Sequence, residues 1–544
     1  MENRLVNLFE KAMKECWDSP MFSDYKGKDF KGKDVATTIN GLHDLFRSLN
    51  IEKGEKIALL GRNSSQWATS YLAVMTYGAV VVPILPDFSK EEVLHILEHS
   101  DSVLLISNDK LYENLGEVTI ENFKGVYSVN DFSLLQGDEA KKFTLSNSFA
   151  KEDIHYNPLP EKELAVISYT SGTSGFSKGV MLTAQNLHSN VEYAFDRMPL
   201  DKGEKLVSLL PLAHAFGCAF EFLWPFCRGI HVYYLEKIPS PSLLVQAYKE
   251  VKPSLIFMVP LVLEKIYKKN LKPLLETNKM KFLLSIPLIN KIIYKKINQK
   301  LSDVFGGNFK EVVVGGAALN PEVEELLKKI KFPFTVGYGL TECAPLISYS
   351  PWKQFKSQSC GQVVDRMELK LDEEKGREKG VGEILTRGDN VMLGYYKKPE
   401  ERESVLEDGK WLRTGDLGEI DEDGFLYIRG RSKNMILGPS GQNIYPEEIE
   451  AEINNIPMIV ENVVVTDSKH RMIALVYLDE EYCKVKGWDE MKMFEKLEDK
   501  RKKLNKTLPS YKQIYKMERV NEEFKKTPKQ SIKRYLYSDY KEKE

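Results

Sequence analysis

Short apolar runs alternate with longer amphipathic stretches through much of this chain. Lys56-Ile57-Ala58-Leu59-Leu60 precedes a helix-like stretch at Ser65–Tyr77. Ala79-Val80-Val81-Val82-Pro83 precedes another at 90–98, and Val103-Leu104-Leu105-Ile106 follows. Runs of four or five apolar residues between turn residues fit strands buried on both faces. The stretches between them fit the helices that cross over such strands. The rhythm recurs at 205–210, 255–259 and 311–314. It predicts an α/β fold, a mostly parallel sheet with helices on both faces.

From about Gly361 the pattern changes. Residues 381–388 and 424–430 read as strands between turn residues and predict a smaller β-rich subdomain. A last α+β unit begins near Lys433, with a helix at Pro446–Asn454, strands at 461–466 and 472–478, and a charged helix at 491–505. The main boundary is expected between Ser432 and Lys433. This gives a large N-terminal domain, 1–432, and a small mobile C-terminal domain, 433–544. The 544 residues are too many for one ordinary core, which agrees with this division.

Charge and cysteine usage narrow the setting. Net charge is −2, so no global field draws the chain to nucleic acid. Residues 1–17 read as an amphipathic helix with charges throughout, not as a signal peptide. No uncharged apolar run reaches the ~20 residues that span a bilayer. The six cysteines are dispersed, without a CxxC pair or a metal-ligand spacing, so reduced thiols and a cytoplasmic setting are expected. Residues 265–300 are lysine-rich around apolar Phe282–Ile289 positions. Two readings stand: a basic segment lying peripherally on the inner membrane face, or a helical pair with its apolar face in the core and its lysines in solvent.

The strongest chemical signal is Ser168-Tyr169-Thr170-Ser171-Gly172-Thr173-Ser174-Gly175-Phe176-Ser177-Lys178-Gly179-Val180, after the apolar run Leu164-Ala165-Val166-Ile167. Backbone N–H groups, hydroxyls and one lysine in a glycine-rich loop suit a polyphosphate. A plain Gly/Ser surface turn is the alternative; the preceding strand and the closing lysine argue against it. The loop is not a Walker A sequence, because Gly179-Val180 follows Lys178. It resembles the phosphate-binding signature of the adenylate-forming, or AMP-binding, enzymes, close to YTSGTTGxPKGV, with Ser174 for a threonine and Ser177 for the usual proline.

Further segments extend that resemblance over residues 30–534. Val336-Gly337-Tyr338-Gly339-Leu340-Thr341-Glu342 matches YGxTE. The resemblance implies that Tyr338 stacks on adenine, Thr341 lies near the α-phosphate and Glu342 holds Mg²⁺. These residue types suit those roles. Gly315, Gly316 and Ala317, after the run Val312-Val313-Val314, would line the adenine pocket together with Gly339. In Trp411-Leu412-Arg413-Thr414-Gly415-Asp416 and Ile428-Arg429-Gly430-Arg431-Ser432-Lys433, the resemblance gives Asp416 to the ribose, Arg431 to ribose and phosphate, and Lys433 to the domain hinge. His214, in Pro211-Leu212-Ala213-His214-Ala215-Phe216-Gly217, would lie beside the substrate. Phe216, Phe220, Phe222, Leu223, Trp224 and Phe226 read either as an acyl tunnel or as ordinary core. The run Lys252-Pro253-Ser254-Leu255-Ile256-Phe257-Met258-Val259-Pro260 followed by the lysine-rich insert is similar to the long-chain fatty acyl-CoA synthetase branch.

The resemblance implies an acid–thiol ligase. A fatty acid would attack the α-phosphate of ATP with Mg²⁺ present, and the acyl group would pass to CoA, or alternatively to acyl carrier protein. A non-catalytic acyl- or nucleotide-binding relative is the contrasting reading. Thr170, Lys178 and Glu342 are the expected catalytic groups. One position departs from the pattern. In Thr527-Pro528-Lys529-Gln530-Ser531-Ile532-Lys533-Arg534, Ser531 falls where the family carries a lysine. Either Lys529 or Lys533 supplies the charge after a shift of register, or the adenylation step is weakened; Lys529 is the favoured candidate.

Overall fold

The computed structural model describes residues 3–145, 149–170, 178–235, 240–376, 379–437, 442–527 and 532–538. Its centre is an eight-stranded sheet in the order Gly394–Tyr395, Lys178–Thr183, Leu164–Thr170, Val80–Ile84, Lys56–Leu60, Ser102–Ser107, Gly125–Ser128, Leu134–Gly137. The four central pairs, from Leu164–Thr170 to Gly125–Ser128, are parallel, as the apolar runs predict, and the three pairs outside them are antiparallel. Helix Ser65–Tyr77 shows how closely pattern and structure agree. The Ser64 hydroxyl accepts from the Trp67 amide at 3.1 Å to start it, and Gly78 ends it with φ of 91°. It is apolar on nearly all sides and almost entirely buried.

The runs further along the chain do not extend this sheet. Lys205–Ser208, His231–Tyr234, Pro20–Asp24 and Asp29–Lys31 form a second sheet, parallel except for its last pair, and Leu255–Met258, Glu311–Val314 and Phe334–Val336 form an all-parallel third. The strand expected over 205–210 stops at Ser208. The Leu209 and Leu210 amides turn away and donate to the buried Glu221 carboxylate at 2.9 and 2.8 Å, joined by the Ser208 hydroxyl at 2.9 Å. The expected β-rich subdomain is a five-stranded antiparallel sheet of Met367–Asp372, Gly382–Gly388, Trp411–Ile420, Leu406–Glu407 and Leu426–Arg431. Its last strand starts two residues later than the apolar pattern suggests, because the Phe425 amide closes a turn on Asp421 at 2.9 Å.

The C-terminal part packs strands Ile459–Thr466, Met472–Leu478 and Lys516–Val520 against helices Pro446–Asn454 and Glu490–Asn505, around Ile449, Ile453, Val464, Val476, Leu497 and Met517. Polar groups join it to the rest. Lys272 bridges Glu322 and the Asn455 carbonyl at 2.9 Å each, Asn320 donates to Asn455 at 2.8 Å, and Lys268 donates to the Ile459 carbonyl. Within the lysine-rich segment, helix Asn278–Ser285 has no buried residue, and helix Ile289–Val304 buries only Ile297 and Leu301. The expectation of a fully core-packed apolar face therefore holds for a single stripe of the second helix.

Burial pushes the Glu221 carboxyl well above its ordinary range, although the donors from Leu210, Ser208 and Leu209 oppose this. Glu221→Leu would leave two buried amides without an acceptor, at about 2–5 kcal/mol in total. We expect a clearly lower urea midpoint for Glu221→Leu and a much smaller change for Glu221→Gln, which keeps an acceptor oxygen.

Candidate active site

Thr170 and Gly315 lie at or just past the carboxyl ends of strands with parallel neighbours, where open α/β sheets bind their ligands, while Asp416 and Arg431 come from the antiparallel β-rich sheet. Strand Leu164–Thr170 runs antiparallel to Lys178–Thr183, and Thr170 and Lys178 stand directly opposite each other in the ladder. The connection is therefore strand–loop–strand, and its two ends hold a hydroxyl and an ammonium side by side. Ser171, Gly172, Thr173, Ser174 and Gly175 lie outside the described residues.

Lys178 is held by two groups that the sequence patterns did not single out. Its ammonium pairs with Glu401, on helix Pro399–Val405, and lies over the Tyr395 ring at 5.0 Å from the centroid. Glu401 also accepts from Lys398 at 3.0 Å. Burial acts to raise the Glu401 carboxyl, but the hydrogen bonds from Lys178 and Lys398 outweigh it and hold the group below the usual range. The Tyr395 hydroxyl donates to Glu342 Oε1 at 2.9 Å. One aromatic side chain thus touches both the lysine of the loop and the carboxylate expected to meet a metal. The pair Gly394–Tyr395 completes the edge of the central sheet, with Tyr395 opposite Val180. The only sequence signal for it is a Gly-Tyr-Tyr ahead of a proline-started helix.

A second group forms around Asp416. Asp416 and Arg431 are cross-strand partners. Arg431 Nε meets Asp416 Oδ1 at 2.7 Å, and the Tyr338 hydroxyl donates to Asp416 Oδ2 at 2.6 Å. Asp416 is buried, which pushes its carboxyl up against the opposing effects of Arg431 and Tyr338. Each carboxylate oxygen has two acceptor positions, so one remains on each oxygen for a pair of vicinal hydroxyls. Tyr338, tied at its hydroxyl, presents a ring whose orientation is fixed. Glu342 lies close enough to raise the Asp416 carboxyl as well, so the two groups share one site.

Close backbone approach shapes the remaining wall. A Cβ on Gly315 would come within 2.9 Å of the Phe216 ring, and one on Gly339 within 2.2 Å of the Pro345 carbonyl. Gly316 has φ of +88° and, like Ala317, is exposed. His214 caps the short turn Ala215–Gly217, its Nδ1 accepting from the Phe216 amide at 3.3 Å. The structure therefore gives His214 a place holding Phe216 against Gly315. Phe220, Phe222, Leu223, Trp224 and Phe226 are fully buried core. Thr341 is buried at the start of the turn Thr341–Cys343, next to Glu342. Lys433 is exposed in the turn Ser432–Asn434, two residues past Arg431. Lys529 and Ser531 lie outside the described residues.

Among the described residues no group of three or more His, Cys, Asp or Glu side chains could hold a metal by itself. Mg²⁺ commonly takes one or two carboxylates and completes its shell with phosphate oxygens and water. Glu342, oriented by Tyr395 through one oxygen, fits such an ion.

A family model described as "AMP-binding enzyme" matches residues 8–396, and one described as "AMP-binding enzyme C-terminal domain" matches 433–543. The chain is 28% identical over 469 residues to the long-chain-fatty-acid–CoA ligase FadD15 of Mycobacterium bovis, covering 81% of this chain and 75% of that one. It is 27% identical over 527 residues to the chloroplastic long-chain-fatty-acid–[acyl-carrier-protein] ligase AEE15 of Arabidopsis thaliana, covering 80% and 70%. The fold is like that of o-succinylbenzoate CoA synthetase from Bacillus subtilis in complex with its acyl-adenylate, with TM-score 0.77, 21% identity and 99% of both chains covered.

Removing the Asp416 carboxylate should weaken AMP binding, measured by calorimetry, by roughly ten- to a hundredfold, as expected for losing hydrogen bonds to a charged group. Tyr338→Phe keeps the ring and loses only the tether, so a smaller loss is expected.

Proposed function

The chain belongs to the AMP-binding enzyme family, and from that premise we propose that it activates a long-chain fatty acid with ATP and transfers the acyl group to CoA. The observation that carries the reading is the buried Asp416 between Arg431 and Tyr338, a diol acceptor beside an aromatic platform. In the proposed reaction a carboxylate oxygen of the acid bonds to the α-phosphorus of ATP, and the bond to the pyrophosphate oxygen breaks. The resulting acyl-adenylate is then attacked at its carbonyl carbon by a thiolate, and AMP leaves.

This chain's own groups have definable tasks in that sequence. Asp416 and Arg431 anchor the ribose, and Tyr338 holds the base. Thr170 and Lys178 face the phosphates from the ends of the loop, and Thr341 donates to the α-phosphate. Mg²⁺ held by Glu342 would neutralise phosphate charge. Such preorganised charge is the main contribution an enzyme makes to phosphoryl chemistry. Lys178 must leave Glu401 to reach a phosphate. A phosphate carries more charge than a carboxylate, so the exchange is favourable once nucleotide is present. We place the division into domains at 432/433, with Lys433 as the hinge, and assign Lys529 the positive charge missing at Ser531.

Support for a fatty substrate comes from the FadD15 relative and from Phe216, the one ring of the run after His214 that is not fully buried, which stands against Gly315. Acyl carrier protein is the second acceptor to test, because the AEE15 relative matches over a similar length at similar identity.

A panel of carboxylates from acetate to stearate, with benzoate, scored by AMP release, tests the reading. Highest turnover with long chains and CoA is expected; preference for benzoate, or for carrier protein over CoA, would contradict it. Lys178→Ala should slow adenylation about 10²–10³-fold, as for loss of one transition-state contact. Lys529→Ala should slow pyrophosphate release far more than thioester formation from preformed acyl-AMP, and equal loss in both steps would remove the assignment.

A further inference from the structure

The helical hairpin 278–304 has the makings of an interaction surface. Its second helix is clamped to the body of the protein. Ile297 and Leu301 are buried, Ile293 and Tyr294 pack on the same core, and Asn298 donates to the carbonyls of Ile330 and Lys331 at 2.9 Å each. The surface it presents is therefore rigid. Its outer side combines two features that seldom occur together on a solvated helix. Phe282 is 67% exposed, Leu288 69% and Ile292 57%. Six lysines, at 279, 281, 291, 295, 296 and 300, are exposed around them, and no acidic residue occurs between 277 and 302. Among the described residues these six ammonium groups form no ion pair. Leu288 sits at the apex between the helices, with a φ of 73° that a branched side chain rarely adopts, so the turn holds this leucine outward at a conformational cost.

We propose that this hairpin docks the enzyme on an anionic lipid bilayer, with Phe282, Leu288 and Ile292 entering the interface and the lysines meeting lipid phosphates. Charge complementarity selects the occupant. The chain as a whole is almost neutral, so the uncompensated positive charge is local to this hairpin. Exposed bulky apolar side chains among exposed lysines match the layering of a membrane interface. An acidic protein surface would use the lysines and leave Phe282 and Leu288 without a role. The second domain sits against the same segment. Lys268 and Lys272, just before the hairpin, hold the Ile459 and Asn455 carbonyls. A membrane-bound hairpin would thus lie next to the domain contact.

Sedimentation of the full chain with vesicles tests this and needs no substrate, so its outcome is independent of the ligase reading. The protein should bind vesicles of phosphatidylcholine containing about one-third phosphatidylglycerol and leave pure phosphatidylcholine largely unbound. Raising salt from about 0.1 M to about 0.5 M, which roughly halves the screening length, should release most of it. The pair Lys279→Glu with Lys281→Glu and the pair Phe282→Ser with Ile292→Ser should each lower affinity about tenfold or more. These side chains are exposed, so the thermal midpoint should stay at its wild-type value and report that folding is intact. The proposal is overturned if no vesicle binds, if both lipid compositions bind equally, or if either variant pair binds as tightly as wild type. Binding of purified acidic acyl carrier protein through the same lysines, without vesicle binding, would reassign the surface to a protein partner.

Discussion

The buried carboxylate of Asp416 is the constraint on which the site depends. A charge taken out of water is costly unless it is paired and hydrogen-bonded. Here Arg431 and the Tyr338 hydroxyl meet that requirement, one on each oxygen. The antiparallel ladder of the β-rich sheet places Arg431 opposite Asp416, while Tyr338 comes from a separate small sheet next to the end of strand Phe334–Val336. Two sheets are therefore joined by one charged group. The same arrangement leaves acceptor capacity on both oxygens, which the proposed contact to a sugar diol would use.

A second coupling runs from Lys178 through Tyr395 to Glu342. It links the loop expected to hold phosphates with the carboxylate expected to hold their counterion. Glu401 pairs with Lys178. A lysine held this way is kept from solvent disorder and pointed along the edge of the central sheet. Binding of a more highly charged group can then draw it over without a large search.

Much of this was legible in the chain. Apolar runs located the parallel strands, and helices Ser65–Tyr77 and Pro446–Asn454 follow the sequence expectation residue for residue. Tyr338, Asp416 and Arg431 came from motif resemblance, and the structure brings them within hydrogen-bond distance. Other features depend on partners far apart in sequence, and a local pattern cannot show those. The strand at 205 stops because of Glu221, thirteen residues past the Ser208 whose hydroxyl it accepts. Glu401 meets Lys178 across 223 positions. The aromatic cluster after His214 could be read as tunnel or core until burial placed all but Phe216 in the core. The lysine-rich hairpin likewise needed burial data, since its periodicity fits a packed face and an exposed one equally.

The central claim is that this site joins a carboxylic acid to the α-phosphate of ATP. Exchange of labelled pyrophosphate into ATP, run with a long-chain fatty acid and no thiol acceptor, measures that step alone. The account predicts exchange that requires the acid and Mg²⁺ and falls sharply in Asp416→Ala. No exchange with any carboxylic acid, or acid-dependent release of inorganic phosphate with ADP in place of AMP, would contradict it.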